Sequence, residues 1–220
     1  MMRVLKSLLK NRIVATITLV IFLFTNVVFS SDYIFDDLSI GGPVVVMDNN
    51  IVVTGDSFAG KFCEYESNKD LRVTPFARAG MTVIANAFIM AEAMDYSHIK
   101  YVLISIGVND QFNETPPYLF ESNLRFILNH ALVNNKYVIM HSYLKYFAPI
   151  YDSKKYSAII YDNVIRRVCN EYDNVVYIDC KDLETPEYIS DDTMHYNSKF
   201  YDKLYNRVFR EIVIYENMRH

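Results

Sequence analysis

Five runs of five or six largely apolar residues, at 50–54, 71–75, 101–106, 137–141 and 175–179, are separated by longer stretches of helical periodicity. This alternation constrains the fold more than any other feature of the chain. Each run is rich in Val, Ile or Tyr with little polar alternation, the pattern of a strand buried on both faces. The stretches at 82–94, 117–134, 154–172 and 198–217 repeat apolar residues at helical spacing. The second opens with Pro117 in its first turn and carries Leu119, Leu124, Ile127, Leu128 and Leu132. Strands alternating with helices join by right-handed crossovers into a parallel sheet covered on both faces. The expectation is one three-layer α/β/α domain with a five-stranded parallel sheet, over residues 43–220. A run at 44–47 is a candidate extra strand, and 31–42 reads as a connecting segment.

The first thirty residues break the pattern. Arg3, Lys6, Lys10 and Arg12 come before any acid, and residues 13–29 are apolar apart from threonines and Asn26. A basic start, an apolar core and small residues at Val28 and Ser30 read as a secretory signal cleaved after Ser30. The 17-residue run also reaches the lower limit for crossing a bilayer, so an uncleaved signal anchor stands beside that reading. Basic residues held inside leave Asp32 onward outside the cytoplasm, secreted or anchored. Removing residues 1–30 takes away four positive charges, moving the formal net charge from −4 to about −8. An acidic domain without a basic stripe repels phosphate backbones, which excludes nucleic acid as an expected partner. Cys63, Cys169 and Cys180 lack metal-ligand spacing and cannot all pair; one disulfide is possible in an exported domain, and the sequence does not choose it.

In an open parallel sheet, ligands bind beyond the carboxyl ends of the strands. Candidate site residues are therefore those just after a strand. Ser57, in Gly-Asp-Ser, follows the first run directly. A serine where a strand becomes a helix is placed for nucleophilic attack, and equally for capping the helix. Gly80 follows the second run, where a glycine supplies a positive φ. Asn109, in Gly-Val-Asn-Asp, follows the third, where an Asn-Asp pair is ordinary turn chemistry. Their shared rim joins them.

A serine nucleophile needs a base, and the base an orienting carboxylate. Two histidines stand three residues after an aspartate: His98 after Asp95 and His195 after Asp192. His98 precedes the third strand and belongs to the amino edge, far from Ser57. His195 lies between the last strand and the last helix, on the carboxyl side. His130 is mid-helix, His220 terminal, and His141, at a strand end, is a secondary candidate base. Asp192 and His195 can share one loop, the carboxylate accepting from one ring nitrogen while the other faces the serine. They could also simply cap the last helix. A metal set of Asp191, Asp192 and His195 lacks a further His or Cys to complete it, so no metal is expected.

Ser57 in Gly-Asp-Ser, Gly80, Asn109 in Gly-x-Asn-Asp and His195 in Asp-x-x-His occur in the order and spacing of the SGNH (GDSL-type) hydrolases. The resemblance spans about 51–198. It implies a flavodoxin-like fold with strand order 2-1-3-4-5 and hydrolysis or transfer of ester-linked acyl groups. By position, Ser57 is the nucleophile, His195 the general base and Asp192 its orienting carboxylate. The Ser57 and Gly80 amides and the Asn109 side chain would form the oxyanion hole. The first block lacks the family's leucine and reads Gly-Asp-Ser-Phe. The last reads Asp-Thr-Met-His, without a glycine after the aspartate, and no asparagine immediately precedes Gly80.

No cofactor is implied. Export and a domain without an obvious long apolar groove lean the substrate toward short acyl groups, such as acetyl, on a carbohydrate or cell-envelope polymer. Tyr143, Tyr146, Phe147 and Tyr151 follow the fourth strand at the same rim; they could wall a sugar or acyl pocket, or pack on their own core. An acyltransferase or a longer-chain, lipase-like esterase is the alternative within enzymes. A non-catalytic envelope-binding domain is the alternative outside them.

Overall fold

A computed structural model describes residues 50–66, 73–94, 96–144, 153–192 and 194–219. The apolar segment at 13–29, the connecting segment at 31–42, the extra strand at 44–47, and Tyr146, Phe147, Tyr151 and His220 lie outside the described residues. The chain divides into Met1–Val46 and Met47–His220, and every described residue belongs to the second unit. Among the described residues no helix is long and apolar enough to cross a membrane.

Five strands form one parallel sheet: β1 (Ile51–Gly55), β2 (Val73–Ala77), β3 (Tyr101–Ser105), β4 (Tyr137–His141) and β5 (Val175–Ile178), in the order β2-β1-β3-β4-β5. That is the order the resemblance implies. Burial follows position in the sheet. Every residue of β1, β3 and β4 is buried, whereas β2 and β5, at the two edges, are mostly half-buried. Covering on both faces therefore holds for the three central strands, and only partly for the edges.

Among the described residues six α-helices alternate with the strands: α1 (Ser57–Glu66), α2 (Val83–Met94), α3 (Val108–Phe112), α4 (Pro117–Val133), α5 (Ala158–Cys169) and α6 (Ser198–Met218). Helix α1 packs with α6, while α2 packs with α4 and α4 with α5, giving a helical layer on each face of the sheet. The core between the layers includes Leu103, Ile104, Leu124, Ile127 and Ile139, each almost fully removed from solvent. Burying one such side chain contributes about 1.5–3 kcal/mol. Phe120 meets Tyr161 edge-on at 5.2 Å, which joins α4 to α5.

Two helices depart from the sequence reading. The stretch 154–172 becomes helical only at Ala158, because Ser157 is extended and the Lys155 amide donates to the Glu114 carboxylate. Helix α3 occupies residues read as a turn. Gly107, at φ +119°, makes the reversal, and the chain then winds on, with the Gln111 amide donating to the Gly107 carbonyl at 2.9 Å.

Candidate active site

The site is built on the turn from β1 to α1. Gly55 ends the strand at φ +135°, and an added Cβ would lie 1.7 Å from the Ser105 carbonyl oxygen. Only glycine permits this approach of β1 to β3. The Asp56 amide then donates to that same carbonyl at 3.0 Å. Helix α1 is capped by Asp56, whose Oδ1 accepts from the Phe58 amide at 3.0 Å and whose carbonyl accepts from the Gly60 amide at 3.1 Å. Capping therefore falls to the aspartate of Gly-Asp-Ser. Ser57 is the first residue of the helix, half-buried, at an N-terminus where amides face outward and negative charge is favoured.

Asp56 is 1 % exposed. Burial pushes its carboxyl up to about 7, against the opposing bonds from Phe58 and Ser105, with Asp110 raising it further. The Ser105 hydroxyl donates to its Oδ1 at 3.3 Å. Asp56 was not singled out in the sequence, although an acid before a helix start is a capping signal.

The loop after β2 is tied to the same corner, since the Arg78 amide donates to the Gly55 carbonyl at 2.9 Å. Gly80, at φ +79°, is exposed and faces open space, with nothing within 4 Å of where a Cβ would stand. Asn109 reaches this loop from α3: its Nδ2 donates to the Met81 carbonyl at 3.1 Å. Ser57, Gly80 and Asn109 thus sit beyond the carboxyl ends of adjacent parallel strands.

His195 arrives from the loop between β5 and α6. The loop is held by an antiparallel bridge between Ile189 and Tyr196 and by Asn197, which caps α6. Asp192 lies three residues earlier, and its Oδ2 accepts from the His195 Nδ1 at 2.7 Å. Its Oδ1 accepts from the Ser190 hydroxyl at 2.5 Å, the His195 amide at 2.8 Å and the Met194 amide at 2.9 Å. Partial burial raises the Asp192 carboxyl, but these bonds outweigh it and hold the group below the usual carboxylate range. The alternative of a capping role is taken by Asn197, which accepts from the Lys199 and Phe200 amides. The His195 ring also meets Phe58 edge-on, with centroids 5.7 Å apart. Phe58 also packs on Tyr196, and Tyr196 stacks on Phe200 at 4.0 Å. This aromatic column brings the last loop against the start of α1. Ser190 and Phe58 were missed in sequence, because neither residue type carries a signal at that spacing.

The remaining histidines stand elsewhere. His98 is exposed at the amino edge, in a turn leading to Lys100 and Tyr101, whose amides both donate to the Asn50 carbonyl. His130 lies in the last turn of α4. His141 is 4 % exposed, and its Nδ1 pairs with the Ser142 carbonyl at 2.8 Å. Burial lowers its basicity, so it is a core group and a poor alternative base. Tyr143 is 3 % exposed and its hydroxyl bonds to Gln111, so of the two roles weighed for it the structure shows core packing. Among the described residues no group of His, Cys, Asp and Glu could hold a metal ion. Cys169 and Cys180 are buried, unpaired thiols, each pushed up to about 12 by burial.

A model of the GDSL-like lipase/acylhydrolase family matches residues 54–203. The chain belongs to that family. It is a serine ester hydrolase by that membership. Among solved structures, a GDSL-like lipase from Bacteroides thetaiotaomicron superposes with TM-score 0.65 at 16 % identity, over 83 % of this chain and 96 % of that one. The psychrotrophic esterase EstA from Pseudoalteromonas sp. gives 0.56 at 13 %, over 74 % and 98 %. A catalytic mutant of an acetylxylan esterase from Geobacillus stearothermophilus gives 0.55 at 16 %, over 74 % and 93 %. At such identities these likenesses speak to the fold. Comparison with curated protein sequences gave no match.

Proposed function

We propose that this GDSL-type hydrolase is an exported esterase that removes short acyl groups, chiefly O-acetyl, from a carbohydrate or cell-envelope polymer. Ser57 is its nucleophile, His195 the general base and Asp192 the orienting carboxylate. The observation that carries the reading is the Asp192–His195 pair standing against Phe58, the residue next to Ser57. Export rests on the basic start and the apolar run at 13–29, whether cleaved or retained as an anchor. The carbohydrate assignment draws on the fold likeness to an acetylxylan esterase.

With Nδ1 donating to Asp192, the imidazole presents Nε2 as the acceptor of the Ser57 proton. The serine oxygen attacks the ester carbonyl, and charge develops on the carbonyl oxygen. The amides of Ser57 and Gly80 and the Asn109 side chain receive that charge, fixed in place before reaction. The Asn109 amide has two hydrogens: one is held by Met81, and the second remains to donate to the oxyanion. His195 then passes its proton to the leaving alcohol. Water, activated by the same imidazole, releases the acyl group from Ser57. A sugar hydroxyl in place of that water would give acyl transfer.

The test is product analysis on acetylated xylooligosaccharide with the full-length protein. Free acetate released in step with deacetylated sugar supports the proposal. Acetyl groups moved quantitatively to added acceptor sugars would replace hydrolysis with transfer, and no reaction while aryl acetates turn over would reject the carbohydrate.

A further inference from the structure

One buried carboxylate next to the proposed oxyanion hole takes no part in these proton movements. Asp110 follows Asn109 in α3 and is 0 % exposed. Its Oδ2 accepts from the amide of Val83, the first residue of α2, at 2.9 Å. One residue earlier, Asn109 Nδ2 donates to the Met81 carbonyl at 3.1 Å. The two bonds run in opposite senses between the same two segments. Together they fix both the separation and the rotation of the Gly80 loop relative to α3, where one bond alone would leave a hinge. Behind Asp110 the chain is braced, its carbonyl accepting from the Thr115 amide at 2.9 Å, while the Tyr161 hydroxyl donates to the Thr115 carbonyl at 2.6 Å.

A carboxylate is an expensive choice here. Burial pushes Asp110 up to about 6, although the Val83 amide and the Thr115 hydroxyl oppose that rise. A neutral or apolar side chain would fill the space without that penalty. What the acid supplies is a charge-assisted bond, about twice as strong as a neutral one.

We propose that Asp110 is a positioning residue for the oxyanion hole, setting through Val83 where the Gly80 amide stands relative to the Asn109 side chain. This rests on reading Gly80 and Asn109 as donors of that hole.

The test is steady-state turnover of p-nitrophenyl acetate by the full-length protein, with Asp110→Ala, Asp110→Asn, Asn109→Ala and the Asp110→Ala/Asn109→Ala double variant. Asp110→Ala should lower kcat about 10–100-fold with KM within about twofold. Asp110→Asn keeps an acceptor for Val83 but loses the charge, and should fall only about two- to tenfold. The double variant should be no slower than Asn109→Ala alone, since both act on one hole. If circular dichroism shows Asp110→Ala unfolded, Asp110→Asn and its double with Asn109→Ala carry the same comparison. Wild-type kcat in Asp110→Asn, a loss confined to KM, or effects that multiply in the double variant would overturn the inference while Asn109→Ala still falls. Undiminished turnover by Asn109→Ala, with Ser57→Ala inactive, would overturn the reading of the hole itself.

Discussion

The imidazole of His195 stands edge-on to the ring of Phe58 at 5.7 Å while its Nδ1 lies 2.7 Å from Asp192 Oδ2. The ring thus makes two contacts that hold it, one with a carboxylate and one with an aromatic ring. Asp192→Asn removes the charge and can donate to Nδ1, favouring the wrong tautomer. Turnover of p-nitrophenyl acetate should fall about 10²–10⁴-fold with KM little changed. The check is steady-state kinetics beside a circular dichroism spectrum unchanged from wild type.

Asn109→Ala should leave the fold intact and slow the chemical step. Losing one donor of an oxyanion hole typically raises the barrier by about 3–4 kcal/mol, so kcat should drop about 10²–10³-fold. Burst kinetics separate this loss from slower product release.

Asp56 makes stability depend on pH. Its carboxyl is raised from 3.8 to about 7 by burial. Between those values the unfolded chain gives up a proton that the folded protein retains, so stability falls as pH rises. The full effect is at most about 4 kcal/mol, three pKa units at 1.36 kcal/mol each. Asp56→Asn keeps a capping side chain and an acceptor for the Phe58 amide. It should match wild type in denaturant midpoint at pH 4 and exceed it at pH 8. An equal gap at both pH values would place the effect elsewhere.

The turn before Ser57 should tolerate no side chain. Gly55→Ala adds a Cβ at 1.7 Å from the Ser105 carbonyl in a backbone conformation with φ +135°. Loss of more than about 3 kcal/mol is expected, a large share of a domain's total stability. Gly60, inside α1, has nothing within 4 Å of the corresponding point. Gly60→Ala should raise stability by up to about 1 kcal/mol. Thermal melts of the two variants make the comparison.

The acyl preference should follow the short-chain reading. Turnover should fall from p-nitrophenyl acetate to the octanoate by at least about tenfold in kcat/KM, the scale on which pockets resolve a few methylenes. A preference for octanoate would support the lipase-like alternative.

The central strands were legible because β1, β3 and β4 are buried on both faces and so carry unbroken apolar runs. Topology did the rest: a strand-then-residue rule separates His195 from His98, though the two share the same spacing to an aspartate. Helix α3 was not legible, since Gly-Val-Asn-Asp has the composition of a turn, and its winding depends on Tyr143 and Asp110 contacts distant in sequence. The capping of α1 is legible in principle from Asp56, but the adjacent Ser57 is an equally good capping type, and residue type alone does not separate them. The hydroxyl that Ser190 donates to Asp192 depends on how the loop folds back, which spacing does not record.

The central claim is that Ser57 is the attacking group and that His195 activates it. The direct measurement is mass mapping of the full-length protein after reaction with a fluorophosphonate, alongside Ser57→Ala and His195→Ala. One adduct on the peptide containing Ser57, absent in Ser57→Ala and formed at least about 10²-fold more slowly in His195→Ala, is the expected result. A folded wild type that stays unlabelled, or an adduct on another residue, would contradict it.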